Sequence, residues 1–317
     1  MDRPKTVLDT ISVHVESYPE ATAVLDVDGQ TITYRQLQRQ IERIAAELRA
    51  THIGRRDRVV TVLPRGLPAA VGFLGVASCA IAVPLNPDLN RTGFVYCFRD
   101  LNANSLVIDR GLNSAAFAAA EECGVKIIEY PFPSRAARFE RDTEDVASDG
   151  RPAGDDVALI LYTSGTTSTP KRVPLTHDNL IASARNVASG LNLSSDDRCL
   201  NVMPLFHIHG LVAGLLSSLV SGGSAICAPR YDGSQFLDWL EVHHPTWYTA
   251  VPTIHQSLLS EMDSRGIAKL TSHSLRLIRS SSSSLPPHVN VEQWHDVEAA
   301  IVRGEVKPRC DVPCGSN

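Results

Sequence analysis

Hydroxyl side chains crowd around one glycine in the stretch Leu161-Tyr-Thr-Ser-Gly-Thr-Thr-Ser-Thr-Pro-Lys171. The hydroxyls belong to Thr163, Ser164, Thr166, Thr167 and Ser168, and the glycine is Gly165. Glycine allows a sharp turn that brings backbone N–H groups close to an anion. Lys171 adds a mobile cation that can follow a phosphate whose charge changes during a reaction. The stretch therefore suits a polyphosphate, although its composition is also typical of a Ser/Thr-rich surface turn.

The spacing of this stretch excludes one familiar phosphate-binding loop. A Walker loop needs a second glycine directly before its lysine, and this chain has Pro170 there. The apolar run Val157 to Tyr162 precedes the stretch and predicts a buried strand. The hydroxyl-rich loop should therefore leave the end of a strand, without being a P-loop.

The order Tyr162-Thr-Ser-Gly-Thr-Thr-x-x-Pro-Lys171 resembles the signature loop of adenylate-forming enzymes. This family includes acyl-CoA ligases, luciferases and the adenylation domains of peptide synthetases. The resemblance implies a catalytic role for Lys171 and assigns ATP binding to Thr163, Ser164, Gly165, Thr166, Thr167 and Lys171. Ser168 and Arg172 stand where the family usually has glycine. Ser168 also occurs in the branch that resembles oxalate-CoA ligases, and Arg172 is expected to restrict the movement of the loop.

Two histidines form a second candidate site, in Met203-Pro-Leu-Phe-His207-Ile-His209-Gly210. They follow a predicted strand, so they should stand at the carboxyl end of the sheet, where open α/β folds bind ligands. They could be metal ligands, but no third ligand is nearby in the sequence, and we assign no metal site. They could also be a partly buried structural pair. The motif resembles the acyl pocket of acyl-CoA ligases. This resemblance implies that His207 lines the passage between carboxylate and α-phosphate as a catalytic residue, and that His209 supports it or assists a small polar acid.

Two later segments also resemble this family. Tyr248-Thr-Ala-Val-Pro-Thr-Ile-His255 is similar to the oxalate-CoA ligase branch, but a core strand followed by a helix explains it, so no catalytic role is assigned. The serine run at 280–284 could be a flexible linker. Its position after a strand resembles the family segment that forms the floor of the nucleotide and acyl pocket. That resemblance assigns Ser282 and Ser283 to nucleotide binding.

Strand and helix patterns alternate along most of the chain. A strand over 22–27, the turn Asp28-Gly29 and a strand over 30–33 predict a hairpin. Thr33 and Gln36 predict a capping box for the next helix. The apolar face of that helix is predicted to contain Leu37, Ile41, Ile44, Ala45 and Leu48. The alternation predicts an α/β fold with a doubly wound parallel sheet.

Residues 131–156 interrupt this alternation with three prolines and many charges. We therefore predict a first α/β subdomain at 1–130, a linker at 131–156, a second α/β subdomain with the ATP-binding loop at 157–289, and a divergent tail at 290–317. The family resemblance adds that the sheets are those of the adenylate-forming N-terminal domain. It also implies that this domain is incomplete and lacks the C-terminal lid domain.

The bulk properties exclude several classes of protein. The 317 residues, 43% of them hydrophobic, can build a large α/β core. The net charge of -5 argues against general nucleic-acid binding, because no basic stripe is available. The seven cysteines are scattered among mostly apolar residues, which favours buried reduced thiols and a reducing compartment.

Targeting signals are not evident in this sequence. The start has no apolar secretion signal and the end is not a peroxisomal Ser-Lys-Leu address. The uncharged stretch Leu67 to Pro87 is cut by Pro68 and Pro84, so we predict a helix and a buried strand there and no integral membrane segment. We expect a cytoplasmic protein, with a peroxisomal location open for a full-length form.

The resemblance covers Val13 to Pro287 and implies an AMP-forming acid-CoA ligase. Such an enzyme uses ATP, Mg²⁺ and coenzyme A on a small-molecule carboxylic acid, through an acyl-adenylate. A chemistry of placement and charge stabilisation fits a hydroxyl-rich site. The absence of Gly-x-Ser-x-Gly and His-Glu-x-x-His motifs argues against serine hydrolases and zincins.

Some family motifs are not found in this chain. These are the Tyr-Gly-x-Thr-Glu segment, whose glutamate helps hold magnesium, the Thr-Gly-Asp segment, whose aspartate holds the ribose, and the lid with its adenylation lysine. We therefore expect this chain to be a poor catalyst, with a sheet edge left unpaired. A nucleotide-binding or interaction protein without complete catalysis is the alternative. A kinase-like phosphotransferase is disfavoured because Walker and kinase lysine motifs are absent.

Overall fold

A computed structural model describes residues 4–130, 150–163, 170–267 and 273–283. Within these ranges the strands are β1 (Thr22–Leu25), β2 (Thr31–Thr33), β3 (Arg58–Val62), β4 (Ile81–Pro84), β5 (Ser105–Asp109), β6 (Lys126–Tyr130), β7 (Val157–Thr163), β8 (Lys171–Thr176), β9 (Arg198–Asn201), β10 (Ser224–Cys227), β11 (Trp247–Ala250) and β12 (Leu277–Ser280). The α-helices are α1 (Val7–Ser17), α2 (Tyr34–Ala50), α3 (Leu67–Ala77), α4 (Arg91–Leu101), α5 (Ala116–Cys123), α6 (His177–Gly190), α7 (Ser217–Val220), α8 (Gly233–His243) and α9 (Pro252–Ser264). A π-helix, His209–Leu216, precedes α7.

The strands form two six-stranded sheets, each parallel except for one edge strand. In the first sheet the order is β6-β5-β3-β4-β7-β8, and β8 runs antiparallel to β7. In the second the order is β12-β11-β9-β10-β1-β2, and β2 runs antiparallel to β1. Helices connect consecutive parallel strands, as α3 does between β3 and β4. The prediction of a doubly wound α/β fold is confirmed.

Each sheet takes strands from both sides of residues 131–156. Strand β7 pairs with β4 in the first sheet, and strand β1 pairs with β10 in the second. The division that we placed at 131–156 therefore does not separate the strands of one sheet from those of the other. The reason is that β1 and β7 each complete a sheet whose other parallel strands are far away in sequence, a pairing that local patterns cannot reveal.

The helix after the first hairpin forms as its sequence predicts. The Thr33 hydroxyl accepts a hydrogen bond from Gln36 N at 3.3 Å, and the Gln36 side chain accepts one from Thr33 N at 2.9 Å, which completes the capping box. The predicted apolar face is entirely buried, at Leu37, Ile41, Ile44, Ala45 and Leu48. Because helix α3 packs on this face, a Cβ at Gly75 would come within 2.8 Å of Ile44 Cβ. Close helix packing thus needs glycine at that position.

A strand that no sequence pattern predicted, β8, follows the hydroxyl-rich loop. It pairs with β7 from Val157↔Thr176 to Thr163↔Lys171. Pro174 lies within this strand, which is possible because β8 stands at the edge of the sheet and needs no second partner. Strands β7 and β8 therefore form an antiparallel pair, and the hydroxyl-rich residues 164–169 between them lie outside the described residues.

The uncharged stretch that could suggest a membrane span is a short helix followed by a strand, as predicted. Helix α3 is 11 residues long and leads into the buried strand β4. Across the described ranges, no helix combines the length and apolar character that crossing a membrane requires.

His177 joins helix α6 to helix α1 in the core. The side chain has no exposed surface, and Val7 N donates to its Nδ1 at 3.3 Å. Burial lowers the pKa of His177 to about 4, against the opposing effect of Asp156, Asp9 and Asp178. The folded protein therefore holds this imidazole neutral.

We predict that protonation of His177 destabilises the fold as pH falls. Its folded pKa lies below the unfolded value of about 6.5, so the unfolded state binds more protons between these values. The contribution is complete above pH 6.5 and is lost as pH falls towards 4. In His177→Asn, whose amide oxygen can still accept from Val7 N, the loss of unfolding free energy between pH 7.5 and 5.0 should shrink by about 2 kcal/mol.

Urea unfolding at both pH values measures this difference. The matched control is His52→Asn, because His52 is exposed and its left-handed backbone, at φ 65°, tolerates asparagine. An equal pH dependence in the native protein and in His177→Asn would contradict the assignment.

Candidate active site

Three parallel strands align three polar side chains at one end of the second sheet. Asn201 of β9 is the Cα partner of Thr249 in β11, and Thr249 is the partner of Arg279 in β12. Residues in register on neighbouring strands point to the same face. Because all three stand near the carboxyl ends of their strands, they lie at the edge where open α/β sheets bind ligands.

The π-helix brings His209 over this row. Asn201 anchors its first turn, since Asn201 Nδ2 donates to Gly210 O at 3.0 Å and Asn201 Oδ1 accepts from Met203 N at 3.3 Å. The alternating strand and helix patterns of the sequence predict an α-helix over 210–220, but the segment is π-helical up to Leu216. It packs so tightly that a Cβ at Gly210 would be 2.5 Å from Pro204 O. Helices of this type occur often at functional sites.

His209 makes hydrogen bonds with both of its ring nitrogens. Nδ1 is 2.9 Å from Ser282 Oγ, and Nε2 is 2.6 Å from Thr249 Oγ1. Arg279 Nη1 donates to Thr249 Oγ1 at 3.1 Å and is 3.4 Å from Nε2. An arginine can only donate, so its approach favours Nε2 as an acceptor and Nδ1 as the donor to Ser282. We name these four residues, His209, Thr249, Arg279 and Ser282, the polar cluster.

The polar cluster contains a cation and a histidine that stays neutral. His209 is 5% exposed, and its pKa is lowered to about 4, first by burial and then by the charge of Arg279. Burial also lowers the pKa of the half-buried Arg279, which still remains charged at neutral pH. Among the described residues, no carboxylate forms an ion pair with Arg279. A partly buried cation without a carboxylate attracts an anion.

Ser282 adopts a strained backbone beside the cluster, at φ 74°. A left-handed serine costs free energy, and such residues concentrate at functional sites. Both Ser282 and Ser283 are exposed, and Ser281 N donates to Ala250 O at 3.1 Å. The described part of the serine run is therefore attached to β11 and is not a free linker.

His207 lies apart from the polar cluster. It is exposed, its ring centroid is 4.7 Å from that of Phe206, and its pKa is lowered by partial burial. Arg65 stacks over Phe206 with its Cζ 5.8 Å from the ring centroid. The two histidines of one motif thus have different surroundings: His209 is buried in a hydrogen-bonded network, while His207 borders solvent.

The hairpin β7–β8 brings together the two ends of the hydroxyl-rich loop. Thr163 and Lys171 are Cα partners, both are exposed, and Thr163 Oγ1 donates to Lys171 O at 3.4 Å. The other predicted phosphate-binding residues, Ser164, Gly165, Thr166 and Thr167, lie outside the described residues, as does Ser168.

Sequence reasoning missed Arg279 and Thr249. Thr249 is in the segment that we treated as a core strand, which is correct for Tyr248, whose hydroxyl lies 3.1 Å from His255 Nδ1 inside the core. The signal for Arg279 was a charged residue directly after the apolar pair Leu277-Ile278, where a buried strand would continue. A charge in such a strand indicates either a structural partner or a ligand.

The fold is that of an α/β protein, and a polar cluster at the carboxyl edge of a parallel sheet is its candidate site. The family model for "AMP-binding enzyme" matches residues 11–303. The chain therefore belongs to the AMP-binding enzyme family. This match continues beyond Pro287, where we expected the resemblance to stop.

Known CoA ligases are similar to this chain over most of its length. It is 36% identical to a probable CoA ligase of Humulus lupulus, covering 86% of this chain and 53% of that relative. It is 35% identical to an oxalate-CoA ligase of Arabidopsis thaliana, covering 88% and 57% respectively. The chain thus spans little more than half the length of these relatives. A solved structure of O-succinylbenzoate CoA synthetase from Bacillus subtilis, in complex with AMP, has a TM-score of 0.75 at 26% identity, and the match covers 92% of this chain and 71% of that one.

We predict that Gly210→Ala destabilises the protein by about 1–3 kcal/mol, because the added methyl group would meet the carbonyl oxygens of Pro204 and Met203. Backbone atoms cannot move aside as a flexible side chain can. The matched control is Gly190→Ala at the end of α6, where a Cβ would meet nothing within 4 Å. Urea unfolding of both variants measures the effect, and equal stabilities would contradict the close packing of the π-helix.

Proposed function

We propose that the whole protein is an AMP-forming acid-CoA ligase. A substrate carboxylate oxygen attacks the α-phosphorus of ATP, and the bond to pyrophosphate breaks. The sulfur of coenzyme A then attacks the acyl carbon, AMP leaves, and the thiol proton passes to solvent. The observation that carries this proposal is the polar cluster at the carboxyl edge of the sheet, in a chain of the AMP-binding enzyme family.

The substrate that we propose is a small acid with a second negative group. Arg279 supplies a partly buried positive charge, and no described carboxylate neutralises it. The hydroxyls of Thr249 and Ser282 and the imidazole of His209 add directional hydrogen bonds around that charge. A long alkyl chain would leave the positive charge of Arg279 without an anionic partner, which is costly for a partly buried cation. Two relatives agree with this chemistry, since they are named as oxalate-CoA and sulfoacetate-CoA ligases.

For ATP we propose the exposed ends of the hairpin, Thr163 and Lys171, together with the loop residues between them. Lys171 provides a strongly hydrated cation for the phosphates, and its charge would stabilise the pentavalent transition state. Ser282 and Ser283, beside the polar cluster, are proposed to contact the nucleotide. His207 is proposed to line the passage between the acid and the α-phosphate, because it borders solvent and lies two residues before His209 of the cluster.

Coenzyme A, as the second substrate, and magnesium, as the counterion of ATP, complete the proposal. The polar cluster holds no carboxylate, which is the ligand that Mg²⁺ prefers. The four residues of the cluster therefore do not fit a protein-held magnesium site. In this scheme magnesium enters bound to the phosphates of ATP. The location that we propose is the reducing cytoplasm, which suits the free cysteines at 79, 97, 123, 199 and 227.

We predict that Lys171→Ala weakens the binding of Mg-ATP about tenfold, because a charge-assisted contact to phosphate is lost. Titration calorimetry on the 317-residue chain measures the dissociation constant. The matched control is Lys126→Ala, an exposed lysine of β6 whose Nζ donates to Thr51 O and which lies at the opposite edge of the same sheet. Equal affinity in Lys171→Ala and the native protein, with the fold intact by circular dichroism, would exclude this role.

We predict that pyrophosphate exchange into ATP depends on a short polar acid and on Arg279. Oxalate should support faster exchange than a long fatty acid. Arg279→Met should lower the oxalate-dependent rate by about a hundredfold, since an ionic hydrogen bond to the acid is removed. Arg230→Met is the control, because Arg230 is exposed and pairs at 3.4 Å with the surface residue Asp88.

The results separate the two functions that we consider. A preference for the fatty acid would refute the substrate class. Binding of Mg-ATP without exchange on any acid would favour the alternative, a nucleotide-binding protein derived from such a ligase.

A further inference from the structure

One carboxylate attaches both strands of the hairpin β7–β8 to helix α4. Tyr162 Oη donates to Asp100 Oδ2 at 2.7 Å, and Arg172 Nε lies 3.0 Å from the same oxygen. Arg172 Nη1 also donates to the backbone oxygen of Asp100 at 2.9 Å. Tyr162 and Arg172 are Cα partners across the hairpin. We name Asp100, Tyr162 and Arg172 the hairpin clamp.

The clamp and the proposed ATP contacts lie on opposite faces of the hairpin. Thr163 and Lys171 are the next Cα pair after Tyr162 and Arg172. Successive residues of a strand point to opposite faces, so the pair that contacts α4 is followed by a pair that points away from it. If the hairpin rotated about its own axis, the side chains of Thr163 and Lys171 would therefore change direction by the same angle.

The members of the clamp depend on one another electrostatically. Asp100 stands in the last turn of α4, where a negative charge opposes the helix dipole and the final carbonyl groups lack partners. The guanidinium of Arg172 compensates for both effects, because it neutralises the Asp100 carboxylate and donates a hydrogen bond to the Asp100 carbonyl oxygen. Tyr162 is half-buried, and this burial is the main reason why its pKa is raised. The hydrogen bond to Asp100 raises the pKa further, so the hydroxyl remains protonated and remains a donor.

The same pairing separates the roles of two adjacent cations. Arg172 has its charge balanced by Asp100, whereas no described carboxylate pairs with Lys171. The side chain of Asp100 is 26% exposed, so this ion pair is partly shielded from water and stronger than a fully exposed pair. Lys171 is thus the cation that the hairpin presents to a phosphate.

We propose that Asp100 and Arg172 are positioning residues for ATP: by holding one face of the hairpin on α4, they fix the direction in which Thr163 and Lys171 point. This inference rests on the proposed function, since it takes Lys171 as a phosphate contact. Neither Asp100 nor Arg172 touches the nucleotide in this scheme. Arg172, at a position where related loops usually have glycine, supplies the link from the hairpin to the helix.

The test is a double-mutant cycle on Mg-ATP binding, measured by titration calorimetry on the 317-residue chain. Asp100→Asn and Arg172→Gln should each weaken Mg-ATP binding about three- to tenfold. Because both substitutions disrupt the same clamp, the double variant should bind Mg-ATP as well as the single variant that has the lower affinity. Arg172→Lys, which keeps the charge but cannot donate to both oxygens, should recover part of the affinity.

Glu122→Gln is the matched control. Glu122 of α5 accepts from Arg91 and Arg99, which lie on the same helix as Asp100, at 2.9 Å each, and the ion pairs of the described residues do not join it to either hairpin strand. Its loss should leave the dissociation constant unchanged. A purely structural clamp would lower the thermal midpoint of the variants without changing their affinity for ATP.

Each outcome decides the inference. Coupled losses of affinity with rescue by Arg172→Lys support it. Native affinity in Asp100→Asn and Arg172→Gln, while the native protein binds Mg-ATP, overturns the positioning role and leaves the proposed function standing. Failure of the native protein to bind Mg-ATP overturns the ATP site itself, and the positioning role with it.

Discussion

The register of three parallel strands is the constraint on which the candidate site depends. Because Asn201, Thr249 and Arg279 are aligned across β9, β11 and β12, a shift of one residue in either strand pair would move one of these three side chains to the other face of the sheet. The register is held at the other end of the strands by the Arg276–Asp197 ion pair. Arg276 Nη2 lies 2.6 Å from Asp197 Oδ2, and the Asp197 side chain is only 5% exposed. Thr246 Oγ1 donates to the same carboxylate, so one buried anion ties together the starts of β9, β11 and β12.

The site combines groups that are expensive to bury with groups that compensate for them. Arg279 is a partly buried cation, and it is tolerated because Thr249 accepts its N–H while His209 stays neutral. A protonated His209 beside Arg279 would place two positive charges within 3.4 Å of each other. Burial therefore keeps the His209 imidazole neutral, so that Nε2 can accept a hydrogen bond and Arg279 is the one positive charge of the polar cluster.

Each of the two sheets supplies a different part of the candidate site. The second sheet supplies the partly buried polar cluster, and the edge hairpin of the first sheet supplies exposed residues next to the hydroxyl-rich loop. Their strands are interleaved in sequence, since β1 completes the second sheet and β7 extends the first. A chain built in this way cannot be divided at 131–156 without removing strands from both sheets.

The sequence by itself determined two things about this protein: its local structural features and the family to which it belongs. The capping box at Thr33, the apolar face of α2, the helix and strand between Leu67 and Pro87, and the resemblance carried by residues 162–171 all depend on neighbouring residues, and they could be predicted from neighbours alone. Only the tertiary structure decided which strands share a sheet, that β8 is a strand, that the segment after His209 is π-helical, and that Arg279 meets Thr249 and His209. The sheet order and the site come from contacts between residues far apart in sequence: Thr249 and Arg279 are 30 positions apart, His209 and Arg279 are 70 apart, and strand β1 pairs with the distant β10. Such pairings leave no periodic pattern in the sequence.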